Sequence, residues 1–257
     1  MPVYFREPTV RLALPTVLET CFDCVSLDVM VRLVDNRSND TLRNFLLELQ
    51  ETYGKDKVVV DLLDRNYGKA EAIDVAVRST FNEYGPFEWL VSCDSDIVHQ
   101  INGWPEILVK CFDAIPNAGM ISPLYTHNGN NPVPPQPSHS AFQVDGVGNV
   151  VLHYGSGVAG GCFITTHYLW SVVGGYSRSV GVYGGVDGLF RLAMAKDLGR
   201  MCGYVDAFAI EHFNDKEKYA DYQEWKVAVQ HRIMQHGCND AVQLGNDKGF
   251  FDAEGRS

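Results

Sequence analysis

The sequence predicts an α/β fold: a largely parallel central sheet with helices packed on both faces. Three observations predict it. A unit of apolar strand, polar loop and amphipathic helix runs from residue 29 to 49 and is repeated from 58 to 81. A third strand, residues 89–93, ends at another polar cluster, Asp94-Ser95-Asp96. The 257 residues suffice for one large core, so a single domain is expected. Strands that alternate with helices pair in parallel because each helix carries the chain back to the start of the sheet.

The elements follow in order. A short apolar start, residues 2–5, leads into a helical spacing of Val10, Leu14, Val17, Leu18, Cys21 and Val25 that begins at Pro8 or Thr9, with a kink expected at Pro15. Residues 29–34 are apolar and β-branched and end in DNRSND, from which a helix starts through Leu42, Phe45, Leu46 and Leu49. Residues 58–63 form the next strand, ending in DRNYGK before a helix over 70–81. After the strand at 89–93, a helix is expected over 107–115 and a strand over 119–124. Residues 126–140 (THNGNNPVPPQPSHS) have no periodicity and read as a loop. Beyond it come the glycine-rich GSGVAGG, the apolar Cys162-Phe163-Ile164, and GVYGGVDGLF, in which Asp187 opens a helix. A last strand over 205–210 ends at Glu211-His212, and a helix is expected over 219–236.

Composition narrows the partners. With 21 basic and 32 acidic residues the net charge is −11, which disfavours broad binding to nucleic acid or anionic membrane. Seven scattered cysteines in a chain of this length read as free thiols in a reducing compartment, and the cytoplasm is the expected location. The start, MPVYFREPTV, shows no targeting segment. Residues 146–176 contain no Asp, Glu, Lys or Arg, yet their glycines, histidines and threonines interrupt the apolar run a membrane helix needs. Cys21 and Cys24 form a CxxC inside a helical pattern with no second pair, so core packing is expected of them.

The polar clusters at Asp35, Asn66 and Asp94 all fall at carboxyl ends of expected strands, where ligands of such sheets gather. In WLVSCDSDIVH two carboxylates flank one serine after an apolar strand. Crowded carboxylates repel and lose hydration, which a divalent cation such as magnesium or manganese relieves, together with phosphate oxygens of a ligand. For an isolated DxD, a polar strand end in which Asp96 caps the next element is the simpler explanation.

The combination of blocks goes further. VRLVDNRSNDTLRN, DRNYGKAEAID, VSCDSDIV, GGCFITTHYLWSVVGGY and YGGVDGLFRL, in that order, resemble the family 2 glycosyltransferases of the GT-A fold, over residues 2 to about 214. The resemblance implies a Rossmann-like nucleotide-sugar half, residues 1–125, and a smaller acceptor-binding and catalytic half, 126–257, of one domain. It implies that Asp35 contacts the nucleotide base and that Arg6, Asn66, Lys69 and Asp94 lie near the nucleotide. Asp96 would hold manganese or magnesium, with Asp94 and His212 as further ligands. Asp187 would be the catalytic base, although Val186 stands where the family has a glutamate. Capping the helix is the structural alternative for Asp187.

The implied reaction moves a sugar from a nucleotide donor, a UDP-sugar by preference, to an acceptor hydroxyl with inversion. Gly160 and Gly161 would let backbone approach the sugar. Trp104, Trp170, Tyr176 and Tyr183 could stack on it, Trp170 and Tyr183 first, though such aromatics more often serve as core; Lys216 and Lys218 could close over the diphosphate or form a solvated turn. Two other readings stay open: nucleotidyl transfer to a sugar phosphate, and a binding module without turnover. Sugar, acceptor and oligomeric state are not encoded legibly, and modified bases in nucleic acid stay among the possible acceptors.

Overall fold

Parallel pairing appears first where the strand and helix units repeat. The computed structural model of the chain describes residues 1–127, 138–155, 160–176 and 186–213. Strands β1 (Pro2–Val3), β2 (Val31–Asp35) and β3 (Val58–Leu62) pair in parallel in the order β1-β2-β3. Their connections are helices α1 (Glu7–Cys21) and α2 (Asp40–Tyr53), and α3 (Gly68–Tyr84) follows β3. Each element has a local cause. Asn39 caps α2 by accepting from the Leu42 N–H at 2.9 Å, and Gly54 and Gly85, at φ 86° and 85°, end α2 and α3 in a conformation only glycine adopts freely. Pro15 does not break α1, which stays continuous to Cys21. Its face of Val10, Ala13, Leu14, Val17, Leu18 and Cys21 is buried, which outweighs the one lost helix hydrogen bond.

The second sheet departs from simple alternation. Among the described residues its order is β4 (Trp89–Cys93), β9 (Cys162–Thr166), β6 (Ala118–His127), β10 (Met201–His212), β8 (Gly148–Tyr154) and β7 (Ser138–Val144), with β5 (Ile97–Val98) on the end of β10. Strands β6 and β10 are parallel, while β9 runs antiparallel to both its neighbours and β7 and β8 form a hairpin. The expected sheet is therefore parallel through β1, β2 and β3 and mixed from β4 onward. An apolar segment such as CFITT has the same pattern in either direction, so its reversal is decided by neighbours.

Helices α4 (Trp104–Ala114) and α5 (His167–Val173) pack on this sheet, and α6 (Val186–Leu192) continues into a π-helical turn, Ala193–Asp197. The core is continuous through Leu14, Leu18, Leu33, Leu108, Phe163 and Ile164, all inaccessible to solvent. The loop expected over 126–140 is shorter, since Thr126 and His127 complete β6 and Ser138 starts β7; its middle lies outside the described residues. So do Tyr183, Lys216, Lys218 and the helix expected over 219–236. Cys21 is buried and Cys24 partly so, both as free thiols. No helix among the described residues is long and apolar enough to cross a membrane.

Candidate active site

The Asp-Ser-Asp turn is where the two sheets' strand ends meet. Strand β4 stops at Cys93, the Asp94 N–H donates to the Gly161 carbonyl at 2.6 Å, and the Ile97 N–H donates back to the Asp94 carbonyl at 3.4 Å. Strand β5 then pairs with the last residues of β10, Ile97 opposite His212, and the Phe213 N–H donates to the Asp96 carbonyl at 2.9 Å. This pairing sets Asp96 beside His212. His212 Nε2 is 3.2 Å from Asp96 Oδ2, the same oxygen that takes Arg6 Nη2 at 2.6 Å. Arg6 reaches it from the junction of β1 and α1, where Phe5 and Arg6 both hold left-handed backbone at φ 55° and 56°. That conformation costs an ordinary residue about 1–2 kcal/mol, and here it aims the guanidinium at Asp96.

The other carboxylates meet on one lysine. Lys69 Nζ lies 2.8 Å from Asp94 Oδ1 and 3.3 Å from Asp187 Oδ1, and it donates to the Gly160 carbonyl at 2.9 Å. The DRNYGK segment explains its aim. Asn66 Oδ1 accepts the Gly68 N–H at 2.9 Å, the Asn36 amide donates to the Gly68 carbonyl at 3.3 Å, and Gly68 supplies φ 83° at the start of α3. Asp187 stands in the first turn of α6 and folds over Gly160, where a Cβ would fall 1.7 Å from its carboxyl carbon. Glycine at 160 is thus the condition for Asp187 to reach the site. At Gly161 a Cβ would sit 3.1 Å from the Tyr125 ring.

These contacts set the charges. Burial, reinforced by repulsion from Asp96 and Asp187, pushes the Asp94 carboxyl up to about 6 against the opposing pull of Lys69. Burial also presses on Asp96, but hydrogen bonding and charge from His212 and Arg6 outweigh it and hold that carboxyl well below the usual range. Burial would discharge Lys69, yet Asp187 and Asp94 keep it protonated, and Asp96 likewise outweighs burial to raise His212.

The donor set fits a hard divalent cation. Asp94, Asp96 and Asp187 bring three carboxylates against the two permanent cations Arg6 and Lys69. Asp96 Oδ1 is buried with no hydrogen-bond partner among the described residues, an orphaned acceptor of the kind a metal satisfies. Carboxylate oxygens with one imidazole suit manganese or magnesium.

Other expected residues fall differently. Asp35 is fully buried and spent on its own loop: Oδ1 accepts the Ser38 N–H at 3.0 Å and Oδ2 lies 3.1 Å from Arg43 Nε. Burial raises its carboxyl. Asn66 is likewise buried in the loop hydrogen bond described above. Trp170 is only 4% exposed and packs against Tyr176 and Phe190, ring centroids 4.9 Å away in both cases, so the structure places it in the core rather than on an open sugar face. Sequence reasoning missed Tyr125, whose hydroxyl donates to the Cys162 carbonyl at 3.0 Å and also accepts from the Cys162 N–H, fixing the start of β9. Tyr176, expected as a possible stacking ring, is buried instead, and burial together with the nearby Asp187 raises its hydroxyl. Only their aromatic character was visible in the sequence.

Known proteins resemble this arrangement. Residues 1–179 match the family described as glycosyl transferase family 2. Among solved structures, the mannosyltransferase PcManGT from Pyrobaculum calidifontis, in complex with GDP-Man and Mn2+, superposes with a TM-score of 0.62 at 15% identity over 98% of this chain and 68% of its own. GalNAc-T7 with UDP, GalNAc and Mn2+ gives 0.63 at 14%, over 96% of this chain and 53% of its own. S. aureus TarS 1-349 in complex with UDP-GlcNAc gives 0.58 at 14%, over 96% of this chain and 69% of its own. The chain thus spans about half of the GalNAc-T7 chain and about two thirds of the other two. No curated protein matches it. The family match over residues 1–179 and the likeness of fold show that the chain belongs to glycosyl transferase family 2 and is a glycosyltransferase of the GT-A fold.

Proposed function

We propose that the protein is a metal-dependent, inverting glycosyltransferase that moves a sugar from a nucleotide-sugar donor to an acceptor hydroxyl. One observation carries this reading: Asp94 of the strand-end pair and Asp187 of the second half share the single ammonium of Lys69, at 2.8 and 3.3 Å, next to Asp96 and His212. A donor diphosphate held at the first pair is thereby within the same cluster as one candidate base. Two neighbours were solved with UDP or a UDP-sugar and one with GDP-Man, which supports a nucleotide sugar as donor and leaves a uridine nucleotide the favoured one. Residues 1–125 serve as the donor half and the remainder as the acceptor half.

Asp96, with Asp94 and His212, would hold the manganese or magnesium, whose chemistry is to neutralise charge growing on the departing diphosphate. Arg6 and Lys69 already place positive charge beside the same carboxylates, so donor entry exchanges contacts between them and phosphate oxygens. Asp187 accepts the acceptor's proton as its oxygen attacks the anomeric carbon. A lone base on the attacking side, with no protein nucleophile interposed, produces inversion. Asp35 and Asn66 act by shaping the loops that receive the nucleoside.

The test is Asp187→Asn. Donor binding should stay within a few-fold of wild type while transfer falls by roughly 10²–10⁴-fold. Near-normal transfer in that variant would assign the base elsewhere, and retention of the anomeric configuration in the product, read by NMR, would reject the single-displacement course.

A further inference from the structure

Behind the Asp-Ser-Asp turn lies a second cluster with different chemistry. Cys93, His99 and Cys162 are buried, at 2%, 2% and 0% exposure, and their ligand-capable atoms all lie within 4.8 Å of one another. The fold brings them together from three segments. Cys93 and Cys162 are directly opposite in the β4–β9 ladder, and the Asp94 N–H to Gly161 carbonyl bond just beyond them makes theirs a non-hydrogen-bonded pair, the kind whose side chains stand closest. His99 follows β5 and is held by its ring stacking on Trp104, centroids 4.0 Å apart, with Nε2 at 3.8 Å from Cys93 Sγ.

We propose that Cys93, His99 and Cys162 form a binding site for a thiophilic divalent metal, zinc above all, distinct from the carboxylate site in front of it. A tetrahedral zinc with sulfur at ~2.3 Å and nitrogen at ~2.0 Å holds sulfur and nitrogen ~3.5 Å apart and the two sulfurs ~3.8 Å apart. The Cys93 to His99 distance of 3.8 Å lies within about 0.3 Å of that value, and the remaining separations, all within 4.8 Å, close by roughly 1 Å. Binding releases a proton from each thiol, and two thiolates then neutralise the dication, so the buried complex carries no net charge. Hard cations favour the oxygen donors of Asp94 and Asp96; two sulfurs and an imidazole select a softer one.

The ring nitrogen that faces the thiols is uncommitted: His99 Nε2 has only the long contact with Cys93 sulfur among the described residues, which leaves it available as a ligand. Cys93 and Trp104 line a cavity of about 630 Å³ that extends past Val91 and Trp89 toward the strand starts. The effect on the active site is positional. Cys93 adjoins Asp94 and Cys162 adjoins Gly161, so a metal across the ladder would pin the pair of residues that set the Asp94 carboxylate.

The experiment uses the full chain, dialysed against chelator under a phosphine reductant and titrated with cobalt(II). Wild type should develop a near-ultraviolet thiolate-to-cobalt charge-transfer band that saturates near about one equivalent and is displaced by zinc. Cys93→Ser and Cys162→Ser should each lose the band, and His99→Gln should weaken binding by roughly tenfold or more. Cys24→Ser and Asp96→Asn should keep it. The latter separates this site from the carboxylate site, so either can fail alone. Absence of the band in reduced wild type, or its persistence in Cys93→Ser, overturns the proposal. Should a serine variant fail to fold, the wild-type cobalt spectrum and the zinc content after dialysis decide the matter.

Discussion

At Asp96, Arg6 and His212 converge on one carboxylate oxygen while the other has no hydrogen-bond partner among the described residues. Asp96→Asn removes the charge that all of them address. It should abolish manganese-stimulated turnover while leaving circular dichroism unchanged, read by a donor-consumption assay with and without metal. Asp94 gives the pH dependence. Its carboxyl is raised to about 6, so below that pH it is protonated and a cation must displace the proton. Manganese affinity, followed by calorimetry, should therefore climb as pH rises through about 6 and flatten beyond it except for what His212 adds, and Asp94→Asn should erase that climb. The sign for stability is opposite. A carboxyl raised on folding destabilises the fold as pH rises from its unfolded value through 6, whereas depressed Asp96 contributes stability that is lost only in acid. His212, raised on folding, contributes below its ordinary value and loses that contribution as pH rises through its folded value.

Two contacts between elements are open to test. Gly160 sits under Asp187 with no room for a Cβ, so Gly160→Ala must push the start of α6 away. The expected outcome is a loss of about 10²-fold in kcat with little change in donor affinity, because a small displacement of a reacting group is enough to misalign it. Arg32 is the second. It is 6% exposed and bridges β2, β3 and α3, with Nε to Asp61 at 2.6 Å and Nη2 to Glu83 at 2.9 Å. Arg32→Met leaves Asp61 without its partner and should cost roughly 2–4 kcal/mol in urea unfolding, with kcat per folded molecule preserved. The two variants separate a lesion of geometry from one of stability.

For the molecule as a whole, the site proposed for donor and metal lies at the meeting of both sheets, so occupancy there should stabilise all of it. A ligand at about 100 times its dissociation constant contributes ~2.7 kcal/mol, which raises the melting temperature of a domain this size by roughly 5–10 °C. A panel of nucleotide sugars with manganese should show that shift for the true donor, and Asp96→Asn should remove it. A shift that survives in Asp96→Asn would place the metal elsewhere.

The sequence by itself determined the strand and helix units as far as β4, the strand-end clusters and the pairing of Asp94 with Asp96, because those signals are local: period, β-branching, and polar residues where a strand must stop. It also contained DRNYGK in full, whose Asn66 and Gly68 help aim Lys69 through a hydrogen bond two residues long. Tertiary structure alone decided the antiparallel entry of β9, the β7–β8 hairpin, the convergence of Arg6 and His212 on Asp96, and the assembly of Cys93, His99 and Cys162. Trp170 shows the limit plainly: its size was legible, but whether it faced a sugar or Phe190 depended on how the following helix packs back against its own. Contacts between distant segments are selected by the free energy of the whole packed core, and no short window of residues contains that quantity.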